Sequence, residues 1–407
     1  MQQILVAVSV STGILLALSC LVLVARRQLL PAGDANVTIN HRRTISAARG
    51  DKLLWALAAN GVLLPSACGG RGSCGQCRLT VLSGGGQILA TEAANISKRD
   101  AAAGERLACM VTVRSDLSIR VPDAALAARR WTCTVRTARH VATYLKELIL
   151  ALPEGASMEF QAGDYVQIEA PPGRSRFADF EIEAAYREEW KRRGLLDLAA
   201  IRESTEIRAY SMANPPGEQG IVTLVVRIAT PPHGSPAVTP PGRVSSYLFG
   251  LKTGAEVKVS GPFGEFHARD GDAEMILIGG GAGIAPLRAI VLDQLLAKQT
   301  RRRMSLWYGA RNATEICYRA EFDALSARFN NFTWRVALSE PEAGTSWSGP
   351  TGFIHSVLYD QYLKDHPVPE EVEYYMCGPP LMSSAVAAML EDIGVERDRI
   401  FYDDFGA

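Results

Sequence analysis

The sequence predicts a multidomain protein in which one N-terminal transmembrane helix precedes an α+β module, an antiparallel β-barrel and an α/β module with a parallel sheet. Three observations predict this order. An uncharged apolar run lies at 4–25, short strands at close spacing occupy the middle of the chain, and three later strands each end in a glycine turn. The predicted bounds are 1–30 for the anchor, 35–127 for the α+β module, 130–270 for the barrel and 271–407 for the α/β module.

Length and charge set the broad class. The chain has 407 residues, enough for two or three domains. Its 43 basic residues balance 43 acidic ones, so nothing in the composition indicates a nucleic acid partner. Four of its eight cysteines, Cys20, Cys133, Cys317 and Cys377, are scattered, which is typical of free thiols in a reducing compartment.

The N-terminal run predicts a membrane anchor. Residues 4–25 would form a helix of about 33 Å, enough to cross the hydrocarbon core. A cleaved signal peptide is the alternative, but such peptides begin with basic residues, and only Met1, Gln2 and Gln3 precede this run. Basic residues follow it at 26–27 and 42–43, which places the N-terminus outside and the rest in the cytoplasm. We expect a single-pass protein of a bacterial inner membrane.

Four cysteines define the first candidate site. Cys68, Cys74 and Cys77 lie in one glycine-rich loop, and Cys109 stands apart. This pattern is typical of a two-iron, two-sulfur (2Fe-2S) cluster, which carries one electron at a time. Zinc and disulfides are the alternatives, but zinc sites usually show two close C-x2-C pairs and only one is present here. The first gap is one residue longer than in the plant-type pattern and resembles that of hydroxylation-type ferredoxins. The strand–helix–loop–strand order around the loop predicts a compact, β-grasp-like fold.

The barrel carries a candidate flavin motif. In Arg208-Ala209-Tyr210-Ser211 the arginine suits a pyrophosphate, the tyrosine suits the face of an isoalloxazine ring, and the serine suits the flavin edge. An ordinary strand is the alternative interpretation of so short a motif. The segment 242–248, which begins at Gly242, predicts a turn entering a short helix, an anion site for the flavin phosphates.

A charge-rich segment at 177–201, within an insertion at 173–206, interrupts the barrel. Acidic residues precede basic ones at helical spacing, which predicts an exposed helix. A solvated insertion is the simpler interpretation, and a docking surface for a partner is the alternative.

The last module contains a candidate nucleotide site. The strand 274–278 runs into the glycine turn 279–283 and then a helix predicted from Leu287. Such a turn lets a pyrophosphate approach backbone N–H groups and the helix dipole. Two further strands end in Gly309 and in Cys377-Gly378-Pro379. Parallel strands would bring these three loops to one edge of the sheet.

The order of these motifs resembles the ferredoxin–NADP reductase superfamily, and the module with the four cysteines makes it similar to oxygenase reductases. The anchor, the charged insertion and the tail 403–407 resemble, over essentially the whole chain, the F subunits of sodium-translocating NADH:quinone reductases (Nqr). The resemblance implies NADH, FAD and a 2Fe-2S cluster, with electrons passing to the other subunits of a membrane complex and then to ubiquinone.

The resemblance also assigns residues. It implies a catalytic position beside the nicotinamide for Cys377, a place at the flavin for Ser211, and an aromatic cover for the flavin at Phe405, which must move for hydride transfer. A buried thiol at a strand end is the alternative for Cys377, and a frayed tail for Phe405. The implied cofactor contacts are Arg208, Ala209, Tyr210, Ser211, Gly242, Val244, Ser245, Ser246, Gly279, Gly280, Gly281, Ala282, Gly283, Ile284, Ala285, Pro286, Tyr308, Gly309, Arg311, Cys377, Gly378, Pro379 and Phe405.

Two other functions fit parts of the pattern. An oxygenase-type reductase shares the three modules, but it normally has neither a membrane span nor such an insertion. A membrane-tethered ferredoxin relay would have a decayed reductase region, which the intact glycine loops argue against. NADH rather than NADPH follows only from the resemblance, because Arg311 or the run 301–303 would suit a 2′-phosphate.

Overall fold

The structure, a computed structural model, describes residues 10–22, 33–232, 239–341 and 347–403. Helix α1 covers residues 10–22, and its side chains are exposed. Within the described ranges no helix combines the length and the hydrophobicity that crossing a bilayer requires. Residues 1–9 and 23–30 of the predicted anchor lie outside the described residues. The chain divides into two compact units, Met1–Ser66 with Gly70–Ala127, and Ala67–Gly69 with Ala128–Ala407.

The first unit is the predicted α+β module. Its five-stranded sheet has the order β2-β1-β5-β3-β4, in which only β1 and β5 pair in parallel. Helix α2 buries its leucines in the core of this unit, which also contains Val37 and Ile119. The elements are β1 (Asp34–Ile39), β2 (Arg43–Ala48), α2 (Leu53–Ala59), β3 (Arg78–Ser83), α3 (Ala90–Ala93), α4 (Lys98–Ala102), β4 (Glu105–Leu107), β5 (Leu117–Arg120) and α5 (Asp123–Ala127).

The second unit begins with an antiparallel sheet of six strands in the order β11-β8-β13-β6-β7-β12. An isolated bridge between Met212 and Leu224 joins its two outer strands, as the predicted barrel requires. The elements are β6 (Arg129–Ala142), β7 (Leu145–Ala151), β8 (Tyr165–Ala170), β9 (Gly173–Arg176), α6 (Ala184–Arg192), β10 (Ala199–Arg202), β11 (Glu206–Ser211), β12 (Ile221–Arg227), α7 (Arg243–Phe249) and β13 (Glu256–Phe263).

The charged insertion is folded and attached to the barrel. Its two ends form the antiparallel strand pair β9 and β10, and α6 lies between these strands in the chain. Most of α6 is exposed, as the charge pattern predicts, but Trp190 is fully buried against Phe177, Phe180 and Phe249. Burying an indole of this size contributes about 2–3 kcal/mol, so the insertion is part of the barrel core.

The second unit continues with five parallel strands in the order β16-β15-β14-β17-β18. Successive residues of β14 enter different cores, Leu277 packing with α8 and Ile278 with α10 and α11. Helix α8 begins at Ile284 rather than at the predicted Leu287, because a proline in the first turn loses no helical hydrogen bond. The elements are β14 (Met275–Gly280), α8 (Ile284–Leu292), β15 (Met304–Ala310), α9 (Arg319–Arg328), β16 (Phe332–Leu338), α10 (Ile354–Gln361), β17 (Glu373–Cys377), α11 (Pro380–Asp392) and β18 (Ile400–Asp403).

Candidate functional site

The cysteine loop turns at its four glycines. Gly69, Gly70, Gly72 and Gly75 all have positive φ angles, between 66° and 84°, a region that L side chains rarely adopt. At Gly70 a Cβ atom would lie 2.9 Å from the Trp55 ring, so a larger residue there would displace the loop. The turn of this loop therefore depends on glycine.

Two of the cysteines form a close pair. Cys77 Sγ lies 3.3 Å from Cys109 Sγ, and both thiols are buried; Cys68 is buried and Cys74 is partly exposed. The hydrogen bond with Cys109 and burial raise the pKa of Cys77, and the charge of Cys74 adds to this. In the described part of the chain, no three His, Cys, Asp or Glu side chains are arranged around a single ion.

This chemistry fits a cluster of two irons. Such a cluster divides its four thiolates between two metal centres, and two thiolates on one tetrahedral centre lie about 4 Å apart. Close, buried thiolates repel each other, and a bound cation removes that penalty. The Cys77–Cys109 pair, at 3.3 Å, is close enough for both thiolates to reach one iron centre after a small separation, and it has the electrostatic need that such a centre satisfies.

A buried ion pair supports the segment that leads to Cys109. Arg106 donates two hydrogen bonds, of 2.9 and 2.8 Å, to the Glu92 carboxylate, which also accepts the Leu107 N–H at 3.1 Å. Burial opposes the charge of Glu92, but the bonds from Arg106, Leu89 and Leu107 outweigh it and lower the pKa of Glu92. No pattern in the sequence indicates this pair.

The predicted flavin motif lies on β11. Tyr210 is partly buried and Ser211 is buried. The carboxylate of Glu206, at the start of the strand, accepts hydrogen bonds from Arg208 at 3.5 Å and from Arg243 at 2.7 Å. Two guanidinium groups thus meet beside the motif, and Arg243 is one that sequence reasoning missed. Because the two guanidinium groups share the single Glu206 carboxylate, one positive charge is left over, and it suits a pyrophosphate.

The predicted phosphate helix is α7, with Gly242 as its N-cap. A Cβ at Gly242 would lie 2.6 Å from that of Ala229, so only glycine fits. The hydroxyls of Ser245 and Ser246 donate to the Gly242 carbonyl at 3.1 and 2.6 Å, because these buried side chains face their own helix turn. The backbone N–H groups of the first turn remain the donors that this helix offers to a phosphate.

The nucleotide loop follows β14. Gly279 pairs in register with Cys377 on β17 and with Tyr308 on β15, so the three loops meet at one sheet edge as predicted. At Gly283 a Cβ would lie 1.9 Å from the Cys377 carbonyl, and at Gly279 it would lie 2.7 Å from Leu287. These glycines let the turn pass close to β17 and α8.

Several predicted contact residues support this loop from within the fold. Tyr308 is buried, and its hydroxyl donates to the Gly281 carbonyl at 3.1 Å, so it supports the turn; its contact with a bound nucleotide stays a prediction. Because β15 is buried almost throughout, the alternation of side chains along the strand does not show which face Tyr308 occupies. Ala282 and Gly309 are partly exposed, whereas Ile284, Ala285 and Pro286 are buried in the first turn of α8. Gly378 and Pro379 pack beside Gly280.

Arginines lie at both edges of the sheet. The run 301–303 precedes β15 and therefore lies at the amino edge, away from the glycine turns, and Arg302 is buried in an ion pair with Glu373. This position excludes the run from the nucleotide loops. Arg311 follows β15 at the carboxyl edge, where it forms an ion pair with Glu315. Glu315 was missed because it lies beyond the usual spacing for a ribose ligand.

Two of the three predicted catalytic residues, Ser211 and Cys377, are neighbours of one aspartate. Asp403 is opposite Cys377 in the pairing of β18 with β17, and its carboxylate accepts a hydrogen bond from Ser211 Oγ at 2.8 Å. Cys377 is fully buried. Phe405, the third predicted catalytic residue, lies outside the described residues. Asp403 belongs to the tail 403–407 on which the resemblance partly rests, although no role was assigned to it.

A further residue that sequence reasoning missed lies by the glycine turn. Arg227 is the exposed last residue of β12, and its Nη1 atom lies 3.3 Å from the point where a Cβ of Gly281 would stand. This guanidinium therefore lies beside the loop on which a pyrophosphate would bind.

Family models match three segments of the chain. Residues 37–114 match the 2Fe-2S iron-sulfur cluster binding domain, 195–268 the oxidoreductase FAD-binding domain and 277–388 the oxidoreductase NAD-binding domain. The cofactor set is therefore a 2Fe-2S cluster and FAD, with a nicotinamide nucleotide as the third bound molecule.

Solved structures share this architecture. The Amycolatopsis cytochrome P450 reductase GcoB is 26% identical, with a TM-score of 0.64 over 91% of this chain and 98% of its own. The ferredoxin reductase in carbazole 1,9a-dioxygenase is 25% identical, with a TM-score of 0.60 over 92% of this chain and 99% of its own.

Curated relatives match over the whole length. The F subunit of the Na(+)-translocating NADH-quinone reductase of Methylococcus capsulatus is 52% identical, covering 100% of both chains, and that of Marinomonas sp. is 49% identical, covering 99% of both. Identity of this extent exceeds the similarity to either solved reductase. The chain belongs to the family of F subunits of the Na(+)-translocating NADH-quinone reductase.

Proposed function

We propose that this chain is the NADH-oxidising subunit of a sodium-pumping NADH:ubiquinone oxidoreductase. It takes a hydride from NADH and delivers single electrons to the other subunits of the Nqr complex, which pass them to ubiquinone. The observation that carries the proposal is the Ser211–Asp403 hydrogen bond, which joins the flavin motif to the strand beside Cys377.

NADH binds at the carboxyl edge of the parallel sheet. The backbone of the turn 279–283 and the N-terminus of α8 receive its pyrophosphate, because glycine exposes N–H groups there. The guanidinium of Arg227, beside Gly281, supplies a positive charge for the same group. Tyr308 holds the turn in place through its bond to the Gly281 carbonyl.

The ion pair at the end of β15 selects NADH over NADPH. The Glu315 carboxylate is suited to accept a hydrogen bond from a ribose 2′-hydroxyl, and it would repel a 2′-phosphate. Arg311 is already neutralised by Glu315, so it is not available to a phosphate.

The residues of β11 and α7 would hold FAD. Arg208 and Arg243 would bind its pyrophosphate with the first turn of α7, and Tyr210 would lie against the ring. When bound, FAD accepts two electrons as a hydride and releases them singly.

Ser211, Asp403 and Cys377 form the site of hydride transfer. Ser211 Oγ keeps its proton on the hydrogen bond to Asp403, which orients the hydroxyl at the flavin edge. Cys377 lies beside the nicotinamide and, being buried, excludes water from the reacting face. Phe405 follows Asp403 by two residues, close enough in the chain to cover the flavin until the nicotinamide displaces it.

Cys68, Cys74, Cys77 and Cys109 would hold the 2Fe-2S cluster. The cluster, when bound, carries one electron, which suits it to follow a two-electron cofactor. The buried Glu92–Arg106 pair fixes the strand before Cys109 and so keeps the Cys77–Cys109 pair at its spacing.

The N-terminal segment anchors the chain in the bacterial inner membrane, with the two units in the cytoplasm. Residues 4–25 contain no charge, and the described helix at 10–22 exposes Ile14, Leu15 and Leu21 by more than half. Exposed apolar side chains on all faces of a helix favour a lipid or protein environment. The basic residues at 26–27 set the orientation.

One experiment separates this function from that of an oxygenase-type reductase. Cells express the affinity-tagged chain together with its neighbouring subunits. Their membranes are solubilised in detergent, and the tagged chain is isolated. We expect further membrane subunits to copurify, and NADH-dependent ubiquinone reduction to rise with sodium concentration. A chain that is isolated alone without detergent, and that reduces ubiquinone independently of sodium, would contradict the proposal.

A further inference from the structure

The insertion helix α6 reaches the nucleotide edge through the turn between β6 and β7. Trp190 Nε1 donates to the Thr143 carbonyl at 2.8 Å, and the Tyr144 hydroxyl donates to the Glu189 carboxylate at 2.8 Å. Trp190 is fully buried and Tyr144 is nearly so. The turn is therefore held by α6 at two successive residues.

The same two residues contact the end of β15. Thr143 Oγ1 lies 3.1 Å from Thr314 Oγ1, and the Arg311 guanidinium lies over the Tyr144 ring, 5.4 Å from its centroid. Thr314 is next to Glu315, the partner of Arg311. Glu315, which is proposed to meet the ribose, and its partner Arg311 are thus both flanked by contacts from the β6–β7 turn.

Two ion pairs meet the Tyr144 ring along this connection. A second guanidinium, that of Arg193 at the end of α6, lies 5.8 Å from the centroid of the Tyr144 ring, and its Nε donates to Glu189 at 3.1 Å. The order is Glu315, Arg311, Tyr144, Arg193 and Glu189. The attraction between a guanidinium group and an aromatic ring is stronger when the ring is buried, because water then screens it less.

We propose that α6 is a positioning element for the nucleotide site, acting on Arg311 and Glu315 through Thr143 and Tyr144. This inference rests on the proposed function, since it assumes that NADH binds at that edge. It gives the charged insertion a role within the chain itself. Tyr144 and Glu189 are positioning residues: they orient the groups that meet the nucleotide and do not meet it themselves.

The test is anaerobic stopped-flow reduction of the flavin in the detergent-solubilised full chain, over a range of NADH concentrations. For Tyr144→Leu we expect the half-saturating NADH concentration to rise about threefold to tenfold, the worth of a buried cation–π contact, with an unchanged maximal rate. Tyr144→Phe and Glu189→Gln should each give a smaller rise, and the double variant no more than either. Melting temperatures check that each variant is folded.

Lys191→Gln is the matched control, because Lys191 lies on the same helix in an exposed pair with Glu188. It should leave the half-saturating concentration unchanged. A flavin that NADH does not bleach in the unsubstituted chain would contradict the proposed function. Normal bleaching, with Tyr144→Phe and Glu189→Gln both equal to the unsubstituted chain, would overturn the inference alone.

Discussion

Ser211 Oγ donates a 2.8 Å hydrogen bond to the carboxylate of Asp403, 192 residues further along the chain. The first residue ends the strand with the flavin motif, and the second ends the last described strand, opposite Cys377. One hydrogen bond thus joins the barrel to the parallel sheet beside Cys377.

Replacing this carboxylate is expected to slow hydride transfer. Asp403→Asn keeps the shape but weakens the acceptor for Ser211, and the resulting misplacement should lower the maximal rate of flavin reduction by about tenfold to a hundredfold. Stopped-flow absorbance at saturating NADH measures this rate. The control is Tyr402→Phe, an exposed neighbour on the same strand. Equal rates in both variants would show that Asp403 has no such role.

Phe405 is expected to control access to the flavin. Removing its ring in Phe405→Ala should raise both the affinity for the nicotinamide nucleotide and the rate of flavin reduction, because the nicotinamide no longer has to displace the ring. Titration with NAD+ and stopped-flow reduction by NADH measure the two quantities. If both stay at the values of the unsubstituted chain, Phe405 does not cover the flavin.

Glu315 is expected to set the choice of nucleotide. Glu315→Gln removes the charge that repels a 2′-phosphate and frees Arg311 from its ion pair. The ratio of NADPH to NADH efficiency should rise by about tenfold, equivalent to one moderate charge interaction. The comparison is Glu340→Gln, which removes another carboxylate at the carboxyl edge of the sheet, just after β16. A ratio that rises no more in Glu315→Gln than in this comparison would exclude the role.

Acid should destabilise the first unit through Glu92. Its pKa is lowered from 4.5 in the folded state, so its contribution to stability is complete above that pH and is lost as the pH falls below it. Glu92→Gln should cost about 3–5 kcal/mol at neutral pH, since it leaves Arg106 buried without its partner. Denaturant unfolding from pH 7 to 3 should therefore show a smaller decline for the variant.

The exposed pair of Arg78 and Glu105 provides the comparison for this effect. Glu105→Gln should cost less than about 1 kcal/mol, because water already screens that pair. A loss of stability in Glu92→Gln as small as in Glu105→Gln would show that burial does not strengthen the Glu92–Arg106 pair.

Local patterns made much of the architecture predictable. The glycines of the cysteine loop and of the turn after β14 are required by positive φ angles and close approaches, so their spacing carries the structure. The meeting of three loops at one edge of the parallel sheet followed from strands that each end in a turn. The membrane anchor stays a prediction from residues 4–25.

Pairings between distant residues were not predictable. Asp403, Glu315 and Tyr144 act through partners that the fold brings from other elements, and a single sequence does not show which ones meet. The bond from the Tyr308 hydroxyl to the glycine turn was not predictable because its strand is buried on both faces, so alternation gave no direction. The hydroxyls of Ser245 and Ser246 turn inward for a related reason: both positions lie on the buried side of α7.

Anaerobic titration of the purified full chain with NADH, followed by absorbance and electron paramagnetic resonance, tests the central claim most directly. We predict that the flavin bleaches and a two-iron signal appears, with complete reduction at about 1.5 NADH per chain because FAD takes two electrons and the cluster one. In Cys74→Ala the flavin should still bleach while the cluster signal is absent. A flavin that bleaches in the unsubstituted chain without any cluster signal would contradict the account.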